Sequence, residues 1–315
     1  MKYNDWLQEW LNNYVRVAAK QRTVTLYSGI IDKHISPNIG ERDMNDITAI
    51  DLQRLVTELL ASGNRITGKG LSSSAVNSII TVIQSSFTVA RGLGLIEGNP
   101  ASYIKRPKLA EKQIECFSVA EQKRIEQAVL ADKRAYMRGV IICLYTGLRI
   151  GELLALTWQD ADFSNGTLSV TKTCYDGKNS DGNFGRIVDV PKTQSSRRII
   201  PISKQVFTLL KDMKKQCGSE WVIAKKGEPF SLRTYQRNFA ALLKKLHIPH
   251  RGFHALRHTF ATRAIECGMD VKTLSEILGH KNATITLNRY AHSLMEHKRD
   301  MMNKLGKLCE LSQNK

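Results

Sequence analysis

The chain is 315 residues long and strongly basic, with 47 lysines and arginines against 29 acidic residues and a formal net charge of +18. Because this excess is spread along the chain, it indicates a polyanionic partner, nucleic acid before an anionic membrane surface; the alternative is a basic protein that is merely very soluble. There is no apolar run long enough to cross a membrane, no signal-peptide pattern, and no C-x-x-C pair among the six cysteines. These features argue against membrane, secreted and zinc-knuckle proteins, and we expect a cytoplasmic, nucleoid-associated protein without a cofactor or metal.

The first hundred residues predict a helical bundle. Apolar side chains recur with helical period in three segments, residues 6–14, 48–60 and 75–90. Thr48 with Asp51 is typical of a helix start, and so are the serines at 72–74. We therefore assign residues 1–104 to a helical domain. Its content of lysine, arginine, serine and asparagine suits DNA binding, among many other roles.

A short basic segment follows and predicts a domain boundary. Residues 105–113 hold too few apolar side chains to pack, which indicates an exposed linker. Residues 114–315 then form a second domain. It begins with a helix whose expected N-cap is Ser118, with Glu121 as the capping-box partner, and helical character continues through the apolar residues 140–145.

Between residues 163 and 202 the apolar period changes to that of strands. Residues 176–183 are rich in glycine, asparagine and aspartate and predict a turn. Strand-like segments flank it, at residues 167–171, 186–190 and 198–202. The predicted fold class is mainly α, with a small antiparallel β-sheet inserted among the helices of the second domain.

Four motifs and one late tyrosine hold the residues suited to chemistry. They are T-G-L-R-x-G-E-L with Arg149, P-K-T-x-x-S-x-R-x-I-P with Lys192, H-x-x-R with His254 and Arg257, L-G-H with His280, and Tyr290. A phenol that attacks a phosphodiester places extra negative charge on the non-bridging oxygens, and guanidinium groups bind such oxygens at any physiological pH. Arg149 and Arg257 are the candidates for this clamp. The alternative is an ion pair of Arg149 with Glu152, one helical turn away.

The histidines allow two interpretations. His254 and Arg257 are three residues apart, so on a helix both side chains would point into one site. The spacing of His250, His254 and His258 also matches the histidine pairs of zinc sites. Against zinc, the acidic or cysteine ligands that usually complete such a site are missing nearby, and Arg257 would place a positive charge beside the metal.

In this order, the motifs resemble the tyrosine recombinase (phage integrase) family over nearly the whole chain. The resemblance implies that residues 1–104 form a helical core-DNA-binding domain, and that a mixed α+β catalytic domain completes a C-shaped DNA clamp. It also implies that Tyr290 is the nucleophile, which becomes joined to DNA through a 3′-phosphotyrosine and leaves a free 5′ hydroxyl. A tyrosine taken alone is more often a core residue.

The same resemblance suggests roles for the remaining residues. Tyr290 must lose its proton during attack, and His254 is the expected acceptor, while His280 donates a hydrogen bond to the scissile phosphate. The leaving 5′ oxygen needs a general acid, which in this family is a lysine on a strand-turn-strand. Lys192 fits best because it leads directly into the following strand. Lys172 stays open as a competitor, since the hairpin between them is longer than the minimal family pattern.

The family resemblance implies a homotetramer on two DNA duplexes. An amphipathic run after Tyr290, residues 294–311, either docks on a neighbouring subunit or packs within its own. An accessory DNA-bending or directionality protein is a possible partner, and integration, excision or inversion of a mobile element is the expected event. The chain resembles the two-domain recombinases or a fragment of a longer one. The alternatives are a type IB topoisomerase-like nicking and closing enzyme and a non-catalytic DNA-binding regulator.

Overall fold

The computed structural model describes residues 1–109, 115–178, 184–189, 197–216, 218–280, 299, 301–303 and 305–306. The chain divides into two compact units, Met1–Lys112 and Gln113–Lys315. The assignment of residues 1–104 to DNA binding, 105–113 to a linker and 114–315 to catalysis stays a prediction. Over the described residues, no helix combines the length and the apolar character that a membrane span requires.

The first unit is built from helices. They are α1 (Tyr3–Trp10), α2 (Arg16–Ala18), α3 (Gln21–Ile30), α4 (Ser36–Ile39), α5 (Ala49–Ser62) and α6 (Ser73–Gly92). Single π-helical turns, Leu11–Val15 and Ile31–Ile35, join α1 to α2 and α3 to α4. The three predicted helical segments are confirmed. Thr48 and Asp51, predicted to lie at a helix start, form a capping box in which each side chain accepts a hydrogen bond from the other residue's backbone N–H.

The core of the first unit lies between α1 and α6. The Tyr3 ring stacks on Phe87 with 4.6 Å between ring centroids, and its hydroxyl lies 2.7 Å from the Ser86 hydroxyl. The indole N–H of Trp6 donates to the Ser86 carbonyl. All four side chains are buried, so α6 receives both aromatic packing and polar partners from α1.

The second unit is also mainly helical. Its helices are α7 (Val119–Leu130), α8 (Gly139–Thr146), α9 (Ile150–Ala155), α10 (Lys204–Lys215), α11 (Leu232–Lys245), α12 (His254–Glu266) and α13 (Val271–Leu278). Ser118 and Glu121 form the predicted capping box of α7. Helix α8 is buried along nearly its whole length, including Cys143, and burial raises the pKa of that thiol well above its usual value.

The strands of the second unit pair antiparallel in separate sheets. They are β1 (Ala161–Asp162), β2 (Thr167–Val170), β3 (Thr173–Lys178), β4 (Phe184–Asp189), β5 (Arg198–Pro201), β6 (Ala224–Lys225) and β7 (Glu228–Pro229). The order is β1-β2-β5 in one sheet, with β3-β4 and β6-β7 as two-stranded sheets. The three predicted strand segments are confirmed within the described residues, which exclude residue 190, and the predicted small sheet is divided into three.

The turn predicted at residues 176–183 includes three residues that belong to a strand. Asp176, Gly177 and Lys178 were expected in a turn, but they end β3 and pair with Arg186, Gly185 and Phe184 of β4. The Asp176 carboxylate accepts the backbone N–H groups of Leu232 and Arg233 at the start of α11. Strand pairing and this cap explain why turn-type residues lie in a strand, because both satisfy backbone groups that a local turn would leave to solvent. Residues 179–183 lie outside the described part.

The segment before α7 is fixed to α12. The backbone N–H of Phe117 donates to the buried Thr259 hydroxyl at 2.9 Å, and its carbonyl accepts from Arg263 at 3.0 Å. The Phe117 ring is buried and meets Phe239 edge to face. These contacts hold α12, the helix that begins with the predicted His254 and Arg257, against the core of its unit.

Candidate active site

The turn that positions Arg149 depends on a glycine. Helix α8 ends at Gly147, which has a φ of +67° in the left-handed region. A Cβ atom there would lie 2.6 Å from the Phe260 ring and 2.8 Å from a Leu278 methyl group. Glycine therefore satisfies both the backbone conformation and the close packing. The chain then turns directly into α9, with Arg149 immediately before the helix.

Glu152, on the first turn of α9, binds two arginines. Its Oε1 accepts from Nη1 of Arg149 at 2.7 Å and from Nη1 of Arg198 at 3.2 Å. Its Oε2 accepts the backbone N–H of Arg149 and Nη2 of Arg198, both at 2.9 Å. The ion pair that the sequence offered as an alternative for Arg149 is thus present, but its carboxylate is only 4% exposed. The Arg149 side chain stays 37% exposed, so it is not enclosed by this ion pair.

The electrostatics of Glu152 favour the ionised carboxylate. Burial by itself raises the pKa of this group, but the hydrogen bonds and charges of Arg198 and Arg149 outweigh burial and lower the pKa to about 2. The carboxylate is therefore charged at every pH at which the protein is expected to work.

Arg257 joins two parts of the site. It is the predicted arginine of α12 and is only 2% exposed. Its Nη1 donates to the Gly147 carbonyl at 2.8 Å and its Nη2 donates to the Leu278 carbonyl at 2.6 Å. The first bond fixes the turn before Arg149, and the second fixes the end of α13.

The end of α13 brings the arginines together. Nε of Arg198 donates to the Ile277 carbonyl, Arg257 to Leu278, and Nη2 of Arg149 to Gly279 at 3.4 Å, so three consecutive carbonyls each accept from a different arginine. A helix C-terminus bears partial negative charge and attracts cations. His280 follows at once, and its backbone N–H donates to the Ser275 carbonyl at 3.0 Å. The structure therefore places three predicted residues, Arg149, Arg257 and His280, at one end of α13.

The histidines of α12 lie near each other at the start of that helix. The rings of His254 and His258 meet edge to face, with 4.6 Å between centroids. His254 is exposed and His258 is half-buried, whereas Arg257 points into the core. Within the described ranges, no group of three or more histidine, cysteine or acidic side chains is arranged to hold a metal ion.

Of the two candidate lysines, only Lys172 lies in the described part. Its Nζ is 2.9 Å from Oδ2 of Asp160 and donates to the Thr157 hydroxyl at 3.0 Å. This lysine therefore already has an ion-pair partner beside β2. Lys192, the preferred general acid, and Tyr290, the expected nucleophile, both lie outside the described residues.

Arg198 was not predicted as a site residue, although it is the arginine of the motif that holds Lys192 and lies in a predicted strand. Strand alternation gives a signal that would have found it. Arg198 and Ile200 lie two residues apart on β5, so their side chains share a face, and Ile200 is in the core. An arginine on the inner face of a strand requires a buried partner, and here that partner is Glu152.

Comparison with known proteins adds independent evidence. The family model described as "Phage integrase family" matches residues 109–297, and that of the "Phage integrase, N-terminal SAM-like domain" matches residues 2–60. A protein named tyrosine recombinase XerC-like, from Caldanaerobacter subterraneus subsp. tengcongensis, is 29% identical over 96% of this chain and 82% of its own length. The ICEBs1 integrase of Bacillus subtilis is 28% identical over 89% of this chain and 76% of its own. The transposase from transposon Tn916 of Enterococcus faecalis is 26% identical over 94% of this chain and 75% of its own length.

Solved structures agree with these relatives. The Tn1549 transposon integrase, in complex with a circular intermediate DNA, matches 97% of this chain and 99% of its own with a TM-score of 0.81 and 25% identity. A lambda integrase dimer bound to a core site shares the fold with a TM-score of 0.69, at 22% identity over 92% of this chain and 77% of its own. The predicted family and the mainly helical fold are confirmed. The chain belongs to the phage integrase family of tyrosine recombinases.

Proposed function

We propose that this tyrosine recombinase cleaves and rejoins DNA at specific sites of a mobile element, through a 3′-phosphotyrosine intermediate. The observation that supports it most strongly is the convergence of Arg149, Arg257 and His280 on the end of α13. The names of the relatives, which include integrases and a transposase, favour integration and excision of a mobile element, and inversion uses the same chemistry.

Arg149 and Arg257 bind the two non-bridging oxygens of the scissile phosphate. Negative charge on these oxygens increases as phosphorus becomes pentacovalent, so fixed guanidinium groups bind the transition state more strongly than the ground state. Arg149 offers the exposed part of its side chain to the phosphate. Arg257 fixes the turn and the helix end between which the phosphate would lie.

Proton transfer accompanies the attack. The Tyr290 hydroxyl forms a bond to phosphorus and gives its proton to His254, and His280 donates a hydrogen bond to the phosphate. The bond from phosphorus to the 5′ oxygen breaks, and Lys192 protonates that oxygen. The engagement of Lys172 with Asp160 supports Lys192 as the acid, because Lys172 would have to give up an ion pair first.

Rejoining needs no external energy source. The phosphotyrosine retains the energy of the broken phosphodiester, so a 5′ hydroxyl of a second duplex reverses the step without ATP or a metal ion. We propose that four subunits on two duplexes perform the exchange, with residues 294–311 docking on a neighbouring subunit and with an accessory bending or directionality protein. A related lambda integrase structure is a tetramer bound to a Holliday junction.

The domains and the location follow from this function. We propose that residues 1–104 bind the core DNA site, that residues 105–113 link the two domains, and that residues 114–315 form the catalytic domain, which cleaves and rejoins the DNA. The C-shaped clamp formed by the two domains stays a prediction. A DNA substrate places the protein at the nucleoid in the cytoplasm, and the net charge of +18 makes its DNA affinity fall steeply with salt.

The test is a metal-free cleavage assay. Supercoiled plasmid carrying the element's own ends is incubated with protein in EDTA, quenched with detergent and resolved for covalent adducts. We expect an adduct with the wild type and none with Tyr290→Phe, which retains DNA binding.

The alternatives give different results in the same assay. Tight binding without an adduct on the element's own DNA would favour a non-catalytic DNA-binding regulator and refute the proposal. Relaxation of any plasmid by a monomer, without strand exchange between two sites, would favour a type IB topoisomerase-like enzyme.

A further inference from the structure

Arg198, the first residue of β5, is a third arginine of the site, and its contacts differ from those of the other two. We propose that Arg198 is a positioning residue for strand cleavage: it holds Arg149 in place through Glu152 and holds the end of α13 through the Ile277 carbonyl. This inference rests on the proposed function.

Burial separates Arg198 from a phosphate ligand. Its side chain is 6% exposed, whereas that of Arg149 is 37% exposed. Two of its nitrogens bind the two oxygens of Glu152, and its Nε binds a main-chain carbonyl. A guanidinium that is committed in this way acts on the phosphate only through its neighbours.

The path from Arg198 to Arg149 runs through a single carboxylate. Each oxygen of Glu152 accepts one bond from Arg149 and one from Arg198. Arg198 thus fixes the carboxylate from the side of β5, and the carboxylate fixes both the backbone and the guanidinium of Arg149. Without Arg198, the carboxylate would lose its attachment to β5, and the position of Arg149 would depend on its own bonds to Glu152 and to the Gly279 carbonyl.

The second path runs through α13. Arg198 donates to the Ile277 carbonyl. The next two carbonyls, those of Leu278 and Gly279, accept from Arg257 and Arg149, and His280 follows directly. This bond ties β5 to the helix end that collects the predicted catalytic residues. Small displacements matter here, because misplacing a reacting group by about 1 Å costs roughly 10²-fold in rate.

The proposed positioning role requires the forked shape of the Arg198 guanidinium. A lysine keeps the positive charge but offers a single nitrogen, which cannot bind both carboxylate oxygens and the Ile277 carbonyl in the same fixed geometry. Arg198→Lys therefore separates charge from positioning. Arg198→Gln is the second variant, with polar character but no charge.

The experiment measures single-turnover formation of the Tyr290 adduct on a suicide substrate, a duplex nicked near the cleavage position. We expect Arg198→Lys to lower the cleavage rate by about 10- to 100-fold and Arg198→Gln by at least as much, with the dissociation constant for DNA within about threefold of the wild type. Rates are measured at temperatures below each variant's own thermal transition. The matched control is Arg186→Lys, since Arg186 also donates to a main-chain carbonyl, that of Leu154, but packs on the Trp221 ring and not on Glu152.

A second substrate distinguishes positioning from general loss of structure. Replacing one non-bridging oxygen of the scissile phosphate by a methyl group removes the negative charge that Arg149 and Arg257 bind. If Arg198 acts through them, the deficit of Arg198→Lys shrinks to less than about threefold on this neutral substrate. A deficit of equal size on both substrates, or a wild-type rate for Arg198→Lys on the normal one, overturns the inference. Absence of any adduct with the wild-type protein would instead refute the proposed function.

Discussion

Replacing Glu152 with glutamine removes a buried carboxylate that binds both Arg149 and Arg198. Breaking a buried ion pair by removing one partner costs about 3–5 kcal/mol, because the remaining charge stays buried. The pKa gives a similar figure: a shift from 4.5 to about 2 corresponds to roughly 3 kcal/mol at neutral pH. We therefore expect Glu152→Gln to lower the free energy of unfolding of the second unit by about 3 kcal/mol at pH 7.

The same contribution depends on pH in a defined direction. The pKa of Glu152 is lower in the folded chain, so its carboxylate stabilises the fold fully above about pH 4.5 and loses this effect as the pH falls toward 2. The difference between wild type and Glu152→Gln should thus decrease by about 2 kcal/mol between pH 7 and pH 3. Urea unfolding read by pulsed hydrogen exchange in peptides of α8 and α9 measures this difference for the second unit alone.

The control is Glu266→Gln in the same unit. Glu266 pairs with Arg263 but is 43% exposed, so its loss should cost less than about 1 kcal/mol. If Glu152→Gln also changed the free energy of unfolding by less than about 1 kcal/mol, or if its effect were the same at pH 7 and pH 3, the argument that one buried carboxylate holds the arginines would be wrong.

Three further changes test other parts of the structure. Lys192→Ala should lower the cleavage rate by about 10²- to 10⁴-fold, and a substrate with sulfur in place of the 5′ oxygen should restore the rate because a thiolate leaves without a general acid. Lys172→Ala should lower the rate less; a larger loss with Lys172→Ala than with Lys192→Ala would make Lys172 the acid. Gly147→Ala should destabilise the second unit by about 1–3 kcal/mol, measured by thermal unfolding, because its φ is positive and its Cβ would meet Phe260 and Leu278. Thr259→Val should cost about 1–3 kcal/mol in the same assay by leaving the buried N–H of Phe117 without its acceptor, and an unchanged melting temperature would contradict this.

Local signals in the sequence were sufficient for the helices that it predicted, such as α5, α6 and α7. The capping boxes at Thr48 and Ser118 involve residues only three positions apart, so the sequence alone specifies them. The extent of β3 could not be predicted in this way. Asp176 and its neighbours favour a turn locally. They are held in a strand by pairing with β4 and by the start of α11, which is 56 positions away in the sequence.

The candidate site likewise combines residues that local motifs indicate with contacts that depend on distant parts of the sequence. The motifs singled out Arg149, Arg257 and His280 as candidates, and the family resemblance implied that they share one site, but nothing in the sequence located them at the end of α13. The hydrogen bonds that bring them together join residues 21 to 130 positions apart, and no local pattern specifies such contacts. For Arg198 a signal existed, since it shares a strand face with Ile200, but its partner Glu152 is 46 positions away.

The arrangement of acceptors around the arginines has an electrostatic consequence. Among the contacts that the described residues make, Arg149, Arg198 and Arg257 contribute three positive charges and Glu152 one negative charge, which gives +2 for these four side chains, and the other acceptors described for them are main-chain carbonyls without formal charge. Had each arginine been fixed by its own carboxylate, the cluster would be neutral and would attract a phosphate far less. Attack by a tyrosinate on a phosphodiester creates a pentacovalent phosphorus with two negative charges in total. Carbonyls at a helix end thus allow the arginines to be rigid and still positive, which is the condition for binding the transition state more tightly than the substrate.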